Sequence, residues 1–254
     1  MRTMEGAVEI PLAPSELERA NEALGEADAT EVIAWAAERF GDGLVMSSSF
    51  GAHSAVMLHL VHRIAPKTPV ILIDTGYLFP ETYRFADDLQ RRLDLNLHVT
   101  TPAMTGARQE ALFGNLWEQG EDGVKEYLRI NKVEPMQRAL EELGATAWLA
   151  GLRSNQTDHR AGLRRIGVQD GRIKVHPILH WSSDEVAAYL DRHDLPVHPL
   201  VAEGYRSIGD HHSTLPTTPD MDPRDGRILG KSRECGLHLP MSEEVGKSFK
   251  SSGL

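Results

Sequence analysis

The chain has 254 residues, and 41% of them are apolar, which is enough for the core of one large α/β domain or two small ones. The formal net charge of −10 argues against broad nucleic-acid binding, and no apolar run approaches the roughly 20 residues of a membrane span. The N-terminal residues, which include Glu5 and Glu9, lack the basic and apolar sections of a secretory signal. We therefore expect a globular cytoplasmic protein with no nucleic-acid or membrane partner.

The first elements are predicted from apolar spacing. Residues 15–40 read as helices with a break at Gly25 and at residues 28–30, and residues 44–46 read as a short buried strand. The strand runs into a loop of small residues, and helical spacing resumes from Ala55. The loop consists of Ser47, Ser48, Ser49, Phe50 and Gly51.

Two interpretations of this serine loop are open. A strand, a hydroxyl-rich loop and a helix N-terminus together can bind phosphate, because backbone N–H groups and the helix dipole face the anion. A serine run is also a common helix cap and turn. The loop has neither the lysine-terminated spacing of a Walker A motif nor the three-glycine dinucleotide fingerprint.

The following elements alternate between strand and helix. Strands are predicted at residues 70–73, 97–99 and 147–150, a last core strand ends at residues 175–178, and helices are predicted at residues 81–93 and from Ser182. This alternation indicates a doubly wound, mainly parallel α/β sheet with right-handed crossovers. Asp74 and Thr75 follow the second strand, where open parallel sheets bind ligands, although Asp74 could equally be a helix cap.

Four arginines follow the strand at residues 147–150. Arg153, Arg160, Arg164 and Arg165 lie within 13 residues of an acidic protein. Guanidinium groups at a strand end can hold phosphate through paired, charge-assisted hydrogen bonds. The alternative is an arginine-rich surface loop.

Cys235 is the only cysteine of the chain. A single thiol excludes an intramolecular disulfide and a four-thiolate cluster within one chain, which leaves a nucleophile or a structural cysteine. Lys231, Arg233 and His238 would favour the thiolate, whereas Glu234 would oppose it. From Leu195 onwards proline and glycine interrupt any periodicity, and we expect residues 201–254 to form an irregular tail beyond a nucleotide-binding domain of residues 1–200.

Six segments together resemble the phosphoadenylyl-sulfate reductase family, which has a fold of the adenine-nucleotide α-hydrolase type. They are SSSFGAHS, LIDTGYLFPETY, INKVEP, GLRSNQTDHR, VHPILHW and ECGLH, spread between residues 44 and 238. The serine loop alone would indicate the wider fold group; its combination with ECGLH is much more specific.

The resemblance implies roles for individual residues. Cys235 would be the nucleophile, with His238, Lys132 and Arg227 in the catalytic set. A lone lysine in the position of Lys132 is otherwise a common solvated surface charge. The substrate-binding residues would be Ser47, Ser48, Ser49, Gly51, Asp74, Thr75, Arg153, Arg160, Arg164 and Arg224.

The chain departs from the members of the family that carry a four-iron cluster. Those members have two cysteine pairs, where this chain has Tyr127 and Leu128 and then Asp210 and Ser213. We expect no cluster, no other cofactor and no metal. Members of the family without a cluster usually take the 3′-phosphorylated nucleotide, a rule that has exceptions, so the resemblance implies this nucleotide as substrate. His211 and His212 lack a third ligand at suitable spacing.

The expected activity is reduction of 3′-phosphoadenylyl sulfate to sulfite and adenosine 3′,5′-bisphosphate through an S-sulfocysteine, in assimilatory sulfate reduction. The resemblance implies thioredoxin or glutaredoxin as electron donor, and a homodimer is left open. The rival functions are adenylyl-sulfate reduction, an ATP-using adenylyltransferase or pyrophosphatase of the same fold, and a non-catalytic nucleotide-binding module.

Overall fold

The computed structural model describes residues 11–218, 220–228 and Leu237. Its centre is a six-stranded sheet in the order β3-β2-β1-β4-β6-β5. All neighbouring strands are parallel except the pair β5 and β6. The strands are β1 (Leu44–Ser47), β2 (Val70–Ile73), β3 (Leu97–Thr100), β4 (Ala147–Ala150), β5 (Ile166–Gln169) and β6 (Arg172–Val175).

Nine α-helices surround the sheet in the described part of the chain. They are α1 (Pro14–Leu24), α2 (Ala29–Phe40), α3 (Ala55–Ile64), α4 (Pro80–Leu93), α5 (Gly106–Phe113), α6 (Gly120–Leu128), α7 (Glu134–Glu142), α8 (Asp158–Ala161) and α9 (Ser183–Arg192). None of the described helices is long and apolar enough to cross a membrane. The predicted helices at residues 15–40 and 81–93 are confirmed, and so is the helix that begins at Ser182, whose hydroxyl accepts from the backbone N–H of Glu185.

Both faces of the sheet are covered, as expected for a doubly wound fold. Side chains alternate along a strand, so Leu44 and Met46 face the helices α2 and α3, whereas Val45 faces α7. Apolar side chains of α1, α4 and α9 also pack on the first face. The second face carries a smaller cluster, called here the α7-face cluster, which consists of Val45, Ile71, Met136, Ala139, Leu140, Ala145 and Trp148.

The order of the strands predicts where a ligand would bind. Beginning at β1, the chain moves outward to β2 and β3, and then returns to the other side of β1 to form β4. The order therefore reverses between β1 and β4, and open α/β sheets bind ligands outside the carboxyl ends of the strands at such a reversal. Ser47 at the end of β1 lies beside Ala150 at the end of β4, so the serine loop and the arginine-bearing loop begin next to each other.

The sequence interpretation missed the strand β5. It forms an edge hairpin with β6, and the turn residues Asp170 and Gly171 both have positive φ, 49° and 76°. This backbone matches the tight turn that Asp-Gly favours between two antiparallel strands. Val168 is 41% exposed at the edge, so the strand lacks the buried apolar run by which the parallel strands were recognised.

The described residues between 199 and 228 include 3₁₀ turns at Pro199–Glu203 and His211–Ser213, and isolated bridges pair Leu78 with Asp210 and Thr214 with Arg227. Irregular backbone is thus confirmed there, but Ile208 and Asp210 are buried and attach the segment to the rest of the fold. The division into two domains stays a prediction.

Candidate active site

The serine loop is held by one hydrogen bond to β4 and one within the loop. The Oγ of Ser47 accepts from Nε1 of Trp148 at 2.7 Å, and the Oγ of Ser48 accepts from the backbone N–H of Phe50 at 3.1 Å. Phe50 has a φ of 47°, a region rarely adopted by bulky residues, and its side chain is fully buried. The burial of Phe50 stabilises this conformation and leaves Ser49 exposed beyond the carboxyl end of β1.

A turn separates the loop from α3. Both the backbone N–H and the hydroxyl of Ser54 donate to the carbonyl of Gly51, at 3.1 and 3.0 Å, and the helix begins at Ala55. The simple interpretation of the serines as the N-cap of this helix is therefore wrong. The residue before Ala55 is Ser54, and it makes no side-chain capping bond.

Asp74 and Thr75 occupy the loop that follows β2. The carboxylate of Asp74 accepts from the backbone N–H of Gly76 at 2.8 Å and from the hydroxyl of Tyr83 at 2.6 Å. The alternative that Asp74 caps a helix is wrong, because α4 begins after Phe79. Thr75 is buried and its hydroxyl donates to Asp210 at 2.7 Å.

Lys132 lies in a π-helical turn, Arg129–Val133, between α6 and α7. Its Nζ is 2.7 Å from Oδ2 of Asp210, and the two side chains are only 11% and 3% exposed. Burial would raise the pKa of Asp210, but the Lys132 ammonium and the hydrogen bond from Thr75 outweigh it and hold this pKa at about 2. The alternative of a solvated surface lysine is therefore wrong.

Arg153 and Arg160 are brought together after β4, and both are buried. Gln156 links them, since its Oε1 accepts from the backbone N–H of Arg153 and from the guanidinium of Arg160. Burial and the charge of Arg160 lower the pKa of Arg153, and burial together with Arg153 lowers the pKa of His53. Two buried guanidinium groups beside a histidine concentrate positive potential at the reversal of strand order.

Arg164 and Arg165 contact residues near the N-terminal end of the chain. The guanidinium of Arg164 pairs with both carboxylate oxygens of Glu18 in α1, at 2.5 and 2.7 Å, and Arg165 donates to the carbonyl of Ala27. The structure does not join Arg164 to the pair Arg153 and Arg160, because the contact with Glu18 fixes its side chain against α1. Its predicted contact with substrate has no geometric support.

Arg227 lies on the segment that carries Asp210. Its Nη1 donates to the carbonyl of Ile208 at 2.8 Å, and its guanidinium covers Gly209, where a Cβ would be 2.5 Å from Nη2. Any larger residue at position 209 would displace the arginine. Arg224 lies in the neighbouring turn, where its backbone N–H donates to Asp222.

Cys235 and His238 lie outside the described residues. Leu237 is described: its carbonyl accepts from Nε2 of Gln169 at 2.9 Å, and its side chain packs on the α7-face cluster. Sequence reasoning missed Gln169, Trp148 and the pairing of Asp210, since an isolated polar residue in a strand or an irregular segment gives no pattern to read.

Comparison with known proteins identifies the family. The model of the phosphoadenosine phosphosulfate reductase domain matches residues 43–216. A phosphoadenosine 5′-phosphosulfate reductase of Alkalilimnicola ehrlichii is 54% identical over 227 residues, which cover 89% of this chain and 93% of the relative. One from Synechocystis sp. is 52% identical over 249 residues, 97% of each chain. The chain belongs to the phosphoadenosine phosphosulfate reductase family.

Solved structures agree with this family and with the predicted fold. The phosphoadenylyl-sulfate reductase of Candida auris, a phosphate complex, is 33% identical with a TM-score of 0.72, covering 82% of this chain and 100% of that one. An FMN adenylyltransferase of Candida glabrata shares the fold alone, at 15% identity and a TM-score of 0.56, with 94% of this chain and 85% of that one covered. The predicted reductase family and doubly wound α/β sheet are confirmed, whereas the individual site roles stay predictions.

Proposed function

We propose that the protein reduces 3′-phosphoadenylyl sulfate to sulfite and adenosine 3′,5′-bisphosphate in assimilatory sulfate reduction. The observation that carries this proposal is the meeting of two loops at the reversal of strand order in a chain of this family. The loop Ser47–Gly51 begins at the last residue of β1, and the buried pair Arg153 and Arg160 follows β4. The serine loop would receive the phosphosulfate, and the loop with Asp74 would lie beside the adenosine.

In the proposed mechanism the thiolate of Cys235 attacks the sulfur of the substrate. The bond from sulfur to the bridging phosphate oxygen breaks, adenosine 3′,5′-bisphosphate leaves with the electron pair, and S-sulfocysteine forms. Lys132 would offset negative charge on the leaving phosphate, an electrostatic role that suits an ammonium held in place by Asp210. Arg227 and His238 would complete the catalytic set.

A second protein is required, because one thiol cannot supply two electrons and regain its starting state. A dithiol protein of the thioredoxin or glutaredoxin class would attack the S-sulfocysteine, release sulfite and end as a disulfide. We propose that no iron–sulfur cluster participates, since Tyr127, Leu128, Asp210 and Ser213 stand where cluster-bearing relatives have cysteines. The compartment would be the cytoplasm, where such donors are kept reduced.

The decisive experiment follows the mass of the protein. Mixing the reduced protein with 3′-phosphoadenylyl sulfate in the absence of thioredoxin should add one sulfonate group to the peptide containing Cys235. Thioredoxin should then release sulfite and restore the original mass. The Cys235→Ser variant is the control and should form no adduct; many turnovers by a protein whose thiol is fully blocked would end the proposal.

A further inference from the structure

We propose that Trp148 and Lys174 are positioning residues that make the hydroxyl of Ser47 a hydrogen-bond donor to the anionic 5′ end of the nucleotide. This inference rests on the proposed function, because it deepens the role of the serine loop as the site of the phosphosulfate. Both residues lie beside the loop on the α7 face of the sheet, where the indole contacts Ser47 and the lysine contacts the indole.

The three residues form a row across neighbouring strands. Trp148 on β4 lies directly opposite Lys174 on β6, and on its other side it lies opposite Val45 on β1. Ser47 comes two residues after Val45, so its side chain is on the same face of the sheet as the indole. The register of the strands therefore brings the ring between the ammonium and the hydroxyl.

The contact between Trp148 and Ser47 can have only one polarity. Nε1 of the indole is 2.7 Å from Oγ of Ser47. An indole N–H donates and never accepts, so Oγ supplies a lone pair and keeps its own hydrogen for another acceptor. Ser47 is the last residue of β1, beside Ala150 at the end of β4, so this hydrogen is available at the edge where the strand order reverses.

Lys174 strengthens the donor. Its Nζ is 4.1 Å from the centroid of the ring of Trp148, within the range of a cation–π contact, and the residue is only 4% exposed. A cation over the face of the ring withdraws electron density and makes the indole N–H a stronger donor. Because linked hydrogen bonds polarise one another, the hydroxyl of Ser47 becomes a stronger donor as well.

The burial of a charge at position 174 requires a reason. An apolar side chain there would pack beside the α7-face cluster without the free-energy cost of removing an ammonium from water. The Nζ of Lys174 donates to Oε1 of Gln169 on β5, which fixes the lysine under the edge hairpin. The alternative is that Lys174 and Gln169 only satisfy each other. The two accounts differ in whether Lys174 affects binding through Ser47.

The test is a double-mutant cycle in the full-length protein. Trp148→Phe keeps an aromatic ring and removes the N–H donor, Lys174→Met removes the charge, and Ser47→Ala removes the hydroxyl. Trp35→Phe is the matched control, since Trp35 packs against Phe40 on the other face of the sheet. Dissociation constants are measured by calorimetry for adenosine 3′,5′-bisphosphate and for adenosine 3′-phosphate, which lacks the 5′-phosphate that Ser47 would contact.

The bisphosphate should bind about five-fold more weakly to Trp148→Phe and about two-fold more weakly to Lys174→Met. Ser47→Ala should weaken its binding at least ten-fold, since the hydrogen bond is made to a charged group. Adding Trp148→Phe or Lys174→Met to Ser47→Ala should change nothing further, because these residues act through the same hydroxyl. The control should match the wild type, and adenosine 3′-phosphate should bind all the variants alike.

A spectroscopic measurement reports the polarity directly. In ¹H–¹⁵N spectra the indole N–H resonance of Trp148 is assigned by its loss in Trp148→Phe. Binding of the bisphosphate should move this resonance downfield in the wild type, because the anion polarises the hydroxyl that accepts from the indole. In Ser47→Ala the resonance should not move downfield on binding.

The outcomes separate this inference from the proposed function. Independent, additive losses in the double variants, or an equal loss of affinity for adenosine 3′-phosphate, would overturn the inference. A wild type that does not distinguish the two nucleotides would overturn it too, while the sulfonate experiment still decides the proposed function. If the wild type forms no sulfonate adduct, the proposed function fails and the cycle still decides the role of Trp148. Lys174→Met keeps the cycle decisive should Trp148→Phe unfold.

Discussion

At the scale of single residues, Lys132 and Asp210 form a buried pair of opposite charges. Two opposite charges are removed from water and compensate each other at 2.7 Å, with Thr75 as a further donor. Such a pair adds little net stability compared with apolar side chains, but removing one partner leaves the other charge buried. It fixes the lysine and also attaches the segment around residue 210 to the end of β2.

Asp210→Asn should therefore lower the free energy of unfolding by about 3 to 5 kcal/mol, because the Lys132 ammonium loses its counter-charge. Combining it with Lys132→Met should recover part of the loss. The measurement is chemical denaturation, with Asp88→Asn as control, since Asp88 pairs with Arg91 on the exposed face of α4. Equal stability of Asp210→Asn and the control would contradict this account.

The buried arginines should determine substrate choice. A hydrogen bond to a charged group contributes about 1.5 to 3 kcal/mol, so if Arg153 or Arg160 binds the 3′-phosphate, adenylyl sulfate should be the poorer substrate by roughly one to two orders of magnitude in kcat/KM. Arg153→Ala or Arg160→Ala should shrink this gap. Arg164→Ala should leave it intact, because Glu18 holds that guanidinium against α1. Equal use of both nucleotides by the wild type would refute the assignment.

At the scale of elements, local sequence signals determine where the helices begin. In α2 the carboxylate of Asp28 accepts from the backbone N–H groups of Thr30 and Glu31, at 2.7 and 2.9 Å. The carboxylate of Glu31 accepts in return from the backbone of Asp28 at 2.8 Å. This reciprocal cap satisfies amide groups that the helix itself leaves unpaired.

Asp28→Ala should lower the free energy of unfolding by about 1 kcal/mol, because those amide groups lose their acceptor. Asp42→Ala is a suitable control, since Asp42 is an exposed residue of the short turn after α2. Both variants are compared by thermal and chemical denaturation. A loss as large in Asp42→Ala would show that the effect comes from net charge and not from capping.

At the scale of the whole molecule, buried histidines join distant elements. Nδ1 of His198 accepts from the backbone N–H of Leu200 at 3.2 Å, so its proton lies on Nε2, which is 3.0 Å from the hydroxyl of Thr82 in α4. Burial lowers the pKa of His198 to about 4, and it lowers that of His176 to about 4 as well. Both rings must stay neutral in the folded protein.

Stability should therefore fall as the pH falls from about 6.5 to about 4, because the unfolded chain takes up protons on these histidines and the folded chain does not. The loss should be on the order of 3 kcal/mol per histidine. Asp210 adds to it at lower pH, between its ordinary pKa of about 3.9 and its folded value of about 2. His198→Gln should flatten the dependence above pH 4 in denaturation experiments; an unchanged slope would contradict the role of this ring.

The sequence by itself determined the alternation of strands and helices, the place where α9 begins, the loops that follow β1 and β4, and the family. These are local properties, because apolar runs, caps and motifs are read within a few residues. Strand β5 was not predicted, because an exposed edge strand mixes polar and apolar residues and is defined by its pairing with β6. Only the tertiary structure showed that Lys132 pairs with Asp210 and that Gln169 contacts Leu237. It also showed that Arg164 pairs with Glu18, whereas Arg153 lies close to Arg160. The physical reason is that side chains far apart in sequence meet only once the sheet order has been fixed, and that order depends on the packing of all the elements together.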